Sequence, residues 1–424
     1  MTNPNCCRLV FQALGAPAAA CAVLLLAMPT GAAAQVASKP PQAQAWIDVA
    51  TYSGMSMPSG GGMAGNPMSL FGSLLGGDGA VGANSFGNTR VGLGGRWVDV
   101  TVTTRNNPSL TEAAQDVPAG FLPSRLTLQA PKEAREKVPD NDEAVVDAAV
   151  ERPRGKLLMY WGCGDTVRAG QPKVLDMVSA SAADLARFFV SRRATQRGAH
   201  SQAGRPVWPS RDDTRMLPAG ASLVGEHAFS GEGVPDGFRF RIASSQDLMP
   251  PLDLKTRPAD GRVELSWFGA PTARAFFAAG LASGGNDEMV LWTSSELPDT
   301  GFGLTDYQTN AAVDRWLKEK VLLSPATTRC TVPKGVFGGE GAMLKLIGYG
   351  NESTFAQPPR PADPKVAWEP VWTAKVRVKS VATAIVGMPE MPSASSGAEA
   401  PTSAAEPAEK KPGAIDILRG VFGR

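Results

Sequence analysis

The two histidines, His200 and His227, are the only imidazole side chains in this 424-residue sequence. A serine-type triad needs a histidine beside its nucleophile, and a two-histidine zinc site needs both of them near further ligands. The sequence contains no Gly-x-Ser-x-Gly elbow, no His-Glu-x-x-His pair and no phosphate loop of the Gly-Lys-Ser/Thr kind. We therefore assign no catalytic, metal or cofactor residue, and interpret His227, beside Glu226, as a strand-end histidine near solvent.

Four further stretches resemble known ligand-binding motifs. The strings at 60–65 and 77–82 match Gly-x-Gly-x-x-Gly, but neither follows a clear strand and opens a helix, as dinucleotide binding requires. The acidic run 140–143 lacks the glycine and distant glutamate of a calcium loop, and indicates a surface loop. The methionines of 55–68 could be soft ligands for copper(I), although a flexible linker is the favoured interpretation.

The string Tyr160-Trp161-Gly162-Cys163-Gly164 is the most unusual local pattern in the sequence. One hypothesis is an aromatic platform at the end of a strand, able to stack on a sugar ring or a peptide. The favoured hypothesis is a core strand that turns at the two glycines and is held by a disulfide at Cys163.

Residues 1–34 have the order of residues that is typical of a secretory signal peptide. Arg8 is the only charged residue of this segment, an apolar stretch follows over 18–28, and Ala32-Ala33-Ala34 precedes the expected cleavage. The apolar stretch is about half the roughly twenty residues of a membrane-spanning helix, so we expect no span in the mature chain. The alternative, a lipoprotein acylated at Cys21, conflicts with an apolar core that lies after this cysteine.

Cleavage after residue 34 leaves two of the five cysteines, Cys163 and Cys330. Two cysteines in an oxidising compartment can form one disulfide, which we favour over two separately buried thiols. The bond would close a long loop and stabilise the fold by about 4–5 kcal/mol on the chain-entropy model.

The charge balance argues against a nucleic-acid partner. Without residues 1–34 the chain has 41 basic and 40 acidic residues. A nucleic-acid binder is expected to show a strong basic excess or a basic face. The locally basic tract 192–197 is better interpreted as the solvated end of a helix.

Composition divides the mature chain into four segments. The Gly/Met-rich stretch 35–95 is predicted to be mostly flexible, although Ala45–Ala50 could add a strand to a sheet edge. Residues 96–250 indicate an N-terminal β-rich domain, and 251–387 a C-terminal β-sandwich. Residues 388–424 are predicted to be a disordered linker with a short amphipathic tail.

The periodicity between the tails is mainly that of strands. Trp97–Thr103 and Gly261–Trp267 alternate with period two, and Lys156–Trp161 is a continuous apolar run between glycines. Helical spacing predicts an inserted helix over 306–320, with an apolar stripe of Ala312, Val313, Trp316 and Leu317 and with Thr305 or Asp306 as its cap. It also predicts a second helix over 181–193. The fold class expected is mainly β, with two β-sandwich-like domains and a few short helices.

Two resemblances support this expectation. Gly261–Trp267, with Pro271 and the aromatic strand after it, resembles the early strands of fibronectin type III and related immunoglobulin-like sandwiches around 253–295. The chain also resembles a set of exported proteobacterial proteins of unassigned function, in its signal pattern, its Gly/Met-rich stretch, Tyr160–Gly164, Ser222–His227 and Leu265–Trp267. The second resemblance implies export and supplies no chemistry.

The amphipathic tail offers Ile415, Leu418 and Phe422 as residues that could dock in a partner's groove or on a membrane surface; a frayed tail is the alternative. These observations predict an exported, non-catalytic protein of the periplasm or cell envelope that binds or scaffolds another protein or a cell-wall polymer. A hydrolase of envelope carbohydrate or peptide, with an active site that the sequence does not reveal, is the alternative. A copper-handling role is third.

Overall fold

The computed structural model describes residues 39–54, 84–91, 94–122, 125–132, 155–190, 192, 198–268, 270–285, 288–337, 341–363 and 365–387. The predicted signal peptide, the glycine-rich strings, the methionines of 55–68, the acidic run 140–143 and the tail residues Ile415, Leu418 and Phe422 lie outside these ranges. The described ranges contain sixteen strands and three α-helices. The mainly-β fold class is therefore confirmed.

The strands of the N-terminal half are β1 (Ala43–Gly54), β2 (Gly95–Thr104), β3 (Glu112–Asp116), β4 (Arg125–Gln129), β5 (Lys156–Trp161), β6 (Lys173–Asp176), β7 (Val207–Trp208), β8 (Gly225–Gly231) and β9 (Arg239–Ile242). Those of the C-terminal half are β10 (Lys255–Ala259), β11 (Arg262–Ser266), β12 (Ala275–Ser283), β13 (Glu288–Thr293), β14 (Arg329–Val332), β15 (Met343–Gln357) and β16 (Trp372–Ile385). The helices are α1 (Asn88–Val91), α2 (Ala182–Phe188) and α3 (Asn310–Lys318), and a 3₁₀ turn covers Ser244–Gln246.

Thirteen of the described strands form one sheet, in the order β6-β5-β13-β12-β15-β16-β1-β2-β7-β4-β3-β8-β9. Strand β1 runs parallel to β16 along its whole length and antiparallel to β2 on its other side. Its sequence alternates, so that Ala45, Ile47 and Val49 enter the main hydrophobic core. The expectation of a strand at Ala45–Ala50 is confirmed, but its expected place at a sheet edge is wrong, because β1 is central.

The second sheet has three antiparallel strands in the order β10-β11-β14. Val263, Leu265 and Val332 of this sheet lie in the same hydrophobic core as Phe276 and Leu346 of the large sheet. Each sheet thus buries one face against the other, and this shared burial removes apolar surface of both from water.

The large sheet joins strands from both halves of the chain. Strands β5 and β6, from within 96–250, pair with each other, and β5 pairs with β13 from within 251–387. Strand β1, from within 35–95, pairs with β16. The domain boundaries inferred from composition stay a prediction, and strand pairing crosses them.

Helix α3 is shorter than the predicted helix over 306–320. It begins after Thr309, whose hydroxyl accepts a hydrogen bond from the Ala312 N–H at 3.2 Å, and this cap fixes the start of the helix. The cap expected at Thr305 or Asp306 is therefore wrong. The buried residues of helix α3 are Ala312, Val313 and Trp316, as the spacing predicted.

Helix α2 lies within the predicted range 181–193 and is seven residues long. Ser181 and Asp184 form a capping box at its start. None of the helices in the described ranges is long and apolar enough to cross a membrane.

The predicted disulfide between Cys163 and Cys330 is confirmed, with the two Cα atoms 5.3 Å apart. Cys163 follows β5 of the large sheet, and Cys330 lies in β14 of the small sheet. The bond therefore ties the two sheets together across a sequence separation of 167 residues.

Replacement of both cysteines, C163A/C330A, should lower the free energy of unfolding by about 2–5 kcal/mol, because the unfolded chain regains the freedom that the long cross-link removes. Urea denaturation under non-reducing conditions measures this loss. Wild-type protein unfolded with a reductant should approach the stability of the double variant. Equal stability of the two proteins without reductant would contradict the prediction.

Candidate functional site

The central strands carry an unusual set of charged residues on the face opposite the main core. Asp48 of β1, Asp99 of β2, and Arg377 and Lys379 of β16 are each at most 2% exposed. Burial of a charge is costly unless a partner or hydrogen bonds compensate for the lost water. Each of these four side chains must therefore be held by specific contacts.

Asp48 and Arg377 form the centre of this buried set. The Arg377 guanidinium donates to the two Asp48 carboxylate oxygens at 2.7 and 2.6 Å, and the Ala199 N–H donates to the same carboxylate at 3.0 Å. Burial disfavours the charged guanidinium, but the ion pair with Asp48 outweighs this effect and raises the pKa of Arg377. The guanidinium also lies over the rings of Trp46 and Tyr307, 5.2 and 4.5 Å from the centroids.

Asp99 lies directly opposite Asp48 in the register of β1 and β2. Its carboxylate accepts hydrogen bonds from the Gly87 N–H at 2.9 Å and from the Thr89 hydroxyl. Burial nevertheless dominates and raises the pKa of Asp99 to about 6. A carboxyl with a raised pKa beside a second carboxylate is the kind of pair that general acid–base catalysis uses. Both carboxyls, however, are buried and hydrogen-bonded.

Lys379 lies two residues after Arg377 in β16, and the two form a row of cations on one face of the strand. Its ammonium donates to the Thr305 carbonyl at 3.1 Å and lies 4.5 Å from the Tyr307 ring centroid. Burial lowers the pKa of Lys379 to about 8, although Asp306 favours its charged form. Burial, helped by the nearby charge of Lys379, also lowers the pKa of Lys345 on β15 to about 8.

Lys375 connects this buried set to an open cleft. It lies two residues before Arg377 and therefore on the same face of β16. Its ammonium is 3.3 Å from a Glu352 carboxylate oxygen and 5.1 Å from the Trp46 ring centroid. The side chain is about one quarter exposed, at 28%, and so marks the point where the cationic row reaches solvent.

The cleft has a volume of about 1050 Å³. We call it the cationic cleft and define it by Lys39, Gln44, Arg239, Phe240, Arg241, Glu352, Thr354, Phe355, Ala356, Gln357, Arg360, Trp368, Trp372, Thr373 and Lys375. Five of these side chains are basic and one is acidic. The cleft therefore favours anionic ligands, because field lines concentrate in a concave site lined by one sign of charge.

The floor of the cationic cleft is aromatic. Phe240 of β9 stacks on Phe355 of β15 with ring centroids 4.7 Å apart, and Phe238 stacks on Trp372 at the same distance. These contacts hold β9, at the edge of the large sheet, and the residue before it against β15 and β16. Packing of this kind fixes the shape of the cleft without requiring hydrogen bonds between β9 and β15.

The rim of the cationic cleft has basic side chains of two kinds. Lys39 is neutralised by Glu369 at 2.9 Å. Arg360 lies over the Trp368 ring at 5.6 Å, and the Trp368 indole N–H donates to a backbone carbonyl of the same loop at 3.0 Å. Arg239 and Arg241 are exposed and form no ion pair with any described residue. These two arginines are the most available cations of the cleft.

The structure corrects the sequence interpretation of His227. The residue is fully buried, not near solvent, and its imidazole contacts the Gln115 amide at 3.0 Å and the Leu223 carbonyl at 2.7 Å. Burial lowers its pKa, and the ring stacks on Phe240 at 5.7 Å, behind the floor of the cleft. His227 is thus a packing residue that supports the cleft.

His200 is not part of a catalytic arrangement of the described residues either. Its Nδ1 atom contacts the Gly198 carbonyl at 3.0 Å, and Arg205 lies against the ring. Within the described ranges, no group of three or more His, Cys, Asp or Glu residues is placed to hold a metal ion.

The string Tyr160–Gly164 forms the end of β5 and the turn after it. The Gly162 carbonyl accepts a hydrogen bond from the Trp292 indole at 3.0 Å, and the next residue forms the disulfide. Leu158 and Tyr160 pack against the main core, and Trp161 against a smaller cluster. The arrangement agrees with the core-strand hypothesis, and the cationic cleft lies elsewhere.

Comparison with models of known protein families and with curated protein sequences found no match to this chain.

The variant D48N should lower the free energy of unfolding by about 3–5 kcal/mol, because it removes the carboxylate that pairs directly with the buried Arg377 guanidinium. Asp116, which pairs with Arg125 at 2.8 Å on the surface, provides a matched control. The same change there, D116N, should cost less than about 1 kcal/mol. Urea denaturation at neutral pH measures both, and similar losses in the two variants would overturn the assignment of a buried pair.

The variant D99N should become more stable relative to wild type as the pH rises from about 4 to about 6. Folded Asp99 keeps its proton up to about pH 6, whereas an unfolded aspartate releases it near 3.9, so wild-type stability falls across this window. The difference between variant and wild type should grow by about 2–3 kcal/mol and then stay constant. Denaturation curves from pH 4 to 8 test this; a difference independent of pH would refute it.

Proposed function

We propose that this chain is an exported, non-catalytic protein of the periplasm or cell envelope, which binds an anionic partner in the cationic cleft. The observation that carries the proposal is the convergence of five basic side chains, two of them paired with carboxylates, on one cleft of about 1050 Å³ with a packed aromatic floor. The partner is another envelope protein or a cell-wall polymer, since both classes supply carboxylates to such a site.

The balance of charges supports binding rather than a general attraction to polyanions. The mature sequence is close to neutral, with 41 basic and 40 acidic residues, yet one cleft collects basic side chains from β9, β16 and the loop after β15. A local excess of basic side chains on a protein of nearly neutral net charge favours a specific anionic ligand. A nucleic-acid binder would be expected to show a broad basic face. We expect no cofactor and no metal.

The alternative function, a hydrolase of envelope carbohydrate or peptide, is favoured by one observation. Asp48 and Asp99 are cross-strand neighbours, and the pKa of Asp99 is raised. Substrate must reach such a pair, whereas both residues are at most 2% exposed and Asp48 is occupied by Arg377. We therefore rank binding above hydrolysis. Hydrolysis that is lost in D99N while the fold remains intact would reverse this order.

Export is supported by the signal-peptide pattern of residues 1–34 and by the disulfide between Cys163 and Cys330. Disulfides persist in oxidising compartments and are rare in the cytosol. The two observations are independent, because one concerns a leader sequence and the other the folded chain.

The strand order supports a fibronectin-like sandwich over β10–β16 as the fold of the C-terminal part. In the related immunoglobulin sandwich, strands A, B and E share one sheet and strands C, F and G the other. Here the first, second and fifth strands, β10, β11 and β14, form the small sheet. The third, fourth, sixth and seventh, β12, β13, β15 and β16, lie side by side in the large sheet. A second sandwich in the N-terminal part remains a sequence-based proposal.

Capture from cross-linked cell envelopes tests the binding function. Wild-type protein should retain a discrete component, and R239A/R241A should retain less than about a tenth of it, because these arginines are the available cations of the cleft. The matched control is R187A/R211A, which removes two arginines that are 80% and 77% exposed outside the cleft. This control should capture the component as wild type does.

A version without residues 388–424 separates the cleft from the tail. Loss of capture on this truncation alone would assign binding to the tail residues Ile415, Leu418 and Phe422 and contradict the cleft. Absence of any captured component from all versions would contradict the binding function itself.

A further inference from the structure

Two strand edges border the cationic cleft. Strand β9 is the last strand of the large sheet and pairs only with β8 in the described ranges. Strand β15 pairs with β12 only as far as Tyr349, so that Glu352–Gln357 pairs with β16 on one side alone. Rows of backbone N–H and C=O groups on such edges readily pair with another extended chain.

The cleft runs along these edges. It is lined by three successive residues of β9, Arg239–Arg241, and by the successive residues Thr354–Gln357 of β15. Successive residues of a strand point to opposite faces of the sheet. A cavity that touches every residue of such a run therefore follows the edge of the strand, and a ligand in it meets backbone as well as side chains.

The contacts of Asn310 show which way the backbone N–H and C=O groups of β15 point. Its side-chain amide donates to the Glu352 carbonyl at 2.9 Å, and its amide oxygen accepts from the Glu352 N–H at 3.0 Å. Both groups of Glu352 thus point away from β16, and the two-residue alternation of a strand gives Thr354 and Ala356 the same direction. Asn310 closes the edge at Glu352, whereas Thr354 and Ala356 present their N–H and C=O groups to the cleft.

The side chains of β9 determine which residue types an added strand would need. Arg239 and Arg241 lie on one face of β9, and Phe240 lies between them on the other face, against Phe355. Glu226 is opposite Arg241 on β8, but the two charges form no ion pair. Directly opposed residues of paired strands have Cβ atoms about 5 Å apart. A ligand strand would therefore place two acidic residues opposite the arginines and an apolar residue beside Phe240.

We propose that the cationic cleft binds an extended acidic peptide segment of a partner protein, which pairs as an added β-strand along the edges of β9 and β15. The expected pattern is acidic–apolar–acidic. This inference rests on the proposed function, because it uses the same cleft, and it narrows the partner from anionic molecules to peptides. An anionic glycan matches the charges, but it lacks the regularly spaced amide groups that two strand edges can pair with.

A combinatorial library of nine-residue peptides, selected on the immobilised full chain, tests the inference. Retained sequences should be enriched in Asp and Glu at alternate positions with an apolar residue between them. The binding of the best sequence should fall at least tenfold in R239A/R241A and weaken with added salt, because charge pairs at a surface are screened. Failure to retain peptides, or retention without acidic enrichment, would overturn the proposal.

Two further comparisons isolate the backbone contribution. The best peptide, N-methylated at alternate residues, keeps its charge but loses half of its N–H donors. Its affinity should fall at least tenfold in both methylation registers, because alternate N–H groups of the added strand face β9 and β15. On the protein, T354P removes an N–H that points at the cleft and leaves the ladder to β16 intact, whereas T354V keeps that N–H. We expect at least tenfold weaker binding for T354P than for wild type and tighter binding for T354V than for T354P, with thermal unfolding as a check on folding.

The outcomes separate this inference from the proposed function. Equal affinity of both N-methylated peptides and the parent peptide would show attraction by charge alone and overturn strand addition. Tighter binding of soluble polygalacturonate than of any selected peptide would identify a glycan site and overturn the peptide, while the cleft-dependent capture from envelopes would still stand. Capture that does not depend on Arg239 and Arg241 would instead refute the proposed function.

Discussion

The parallel pairing of β1 with β16 is the constraint on which the rest of this fold depends. It brings a segment near the start of the described chain beside one near its end, and Asp48 and Arg377 meet in the middle of the pair. One face of this pair contributes Ile47 and Val376 to the main core. The opposite face holds the charged row that ends at the cationic cleft. A single ladder therefore sets the orientation of both the core and the candidate site.

Local periodicity predicted the strands well and could not predict their partners. Trp97–Thr103 and Gly261–Trp267 alternate, and they fall within β2 and at β11, because burial of one face is a local property of a strand. The pairing of β5 with β13 depends on surfaces that meet only in the folded chain. The inserted helix was found from its apolar stripe, but its first residue depended on which of several polar residues caps it.

The candidate site was harder to infer, because its residues look ordinary in the sequence. Lys375 and Arg377 alternate with valines in β16, a pattern that usually indicates a strand with one face in water. Here that face is covered by Tyr307 and Ala199, whose positions follow from distant parts of the chain. Arg239 and Arg241 belong to β9, the strand at one edge of the large sheet. Their convergence with Lys375 results from the curvature of the sheet, which periodicity does not encode.

The 329-residue separation between Asp48 and Arg377 also constrains how the molecule acquires its structure. A chain that is synthesised from its N-terminus exposes both edges of β1 long before β16 exists. Contacts between positions so far apart are slow to form, because a large loop must close before any of them contributes free energy. During that interval an apolar strand such as β1 is open to wrong partners. The pairing of β1 with β16 therefore organises the finished protein, but it cannot form until β16 has been synthesised.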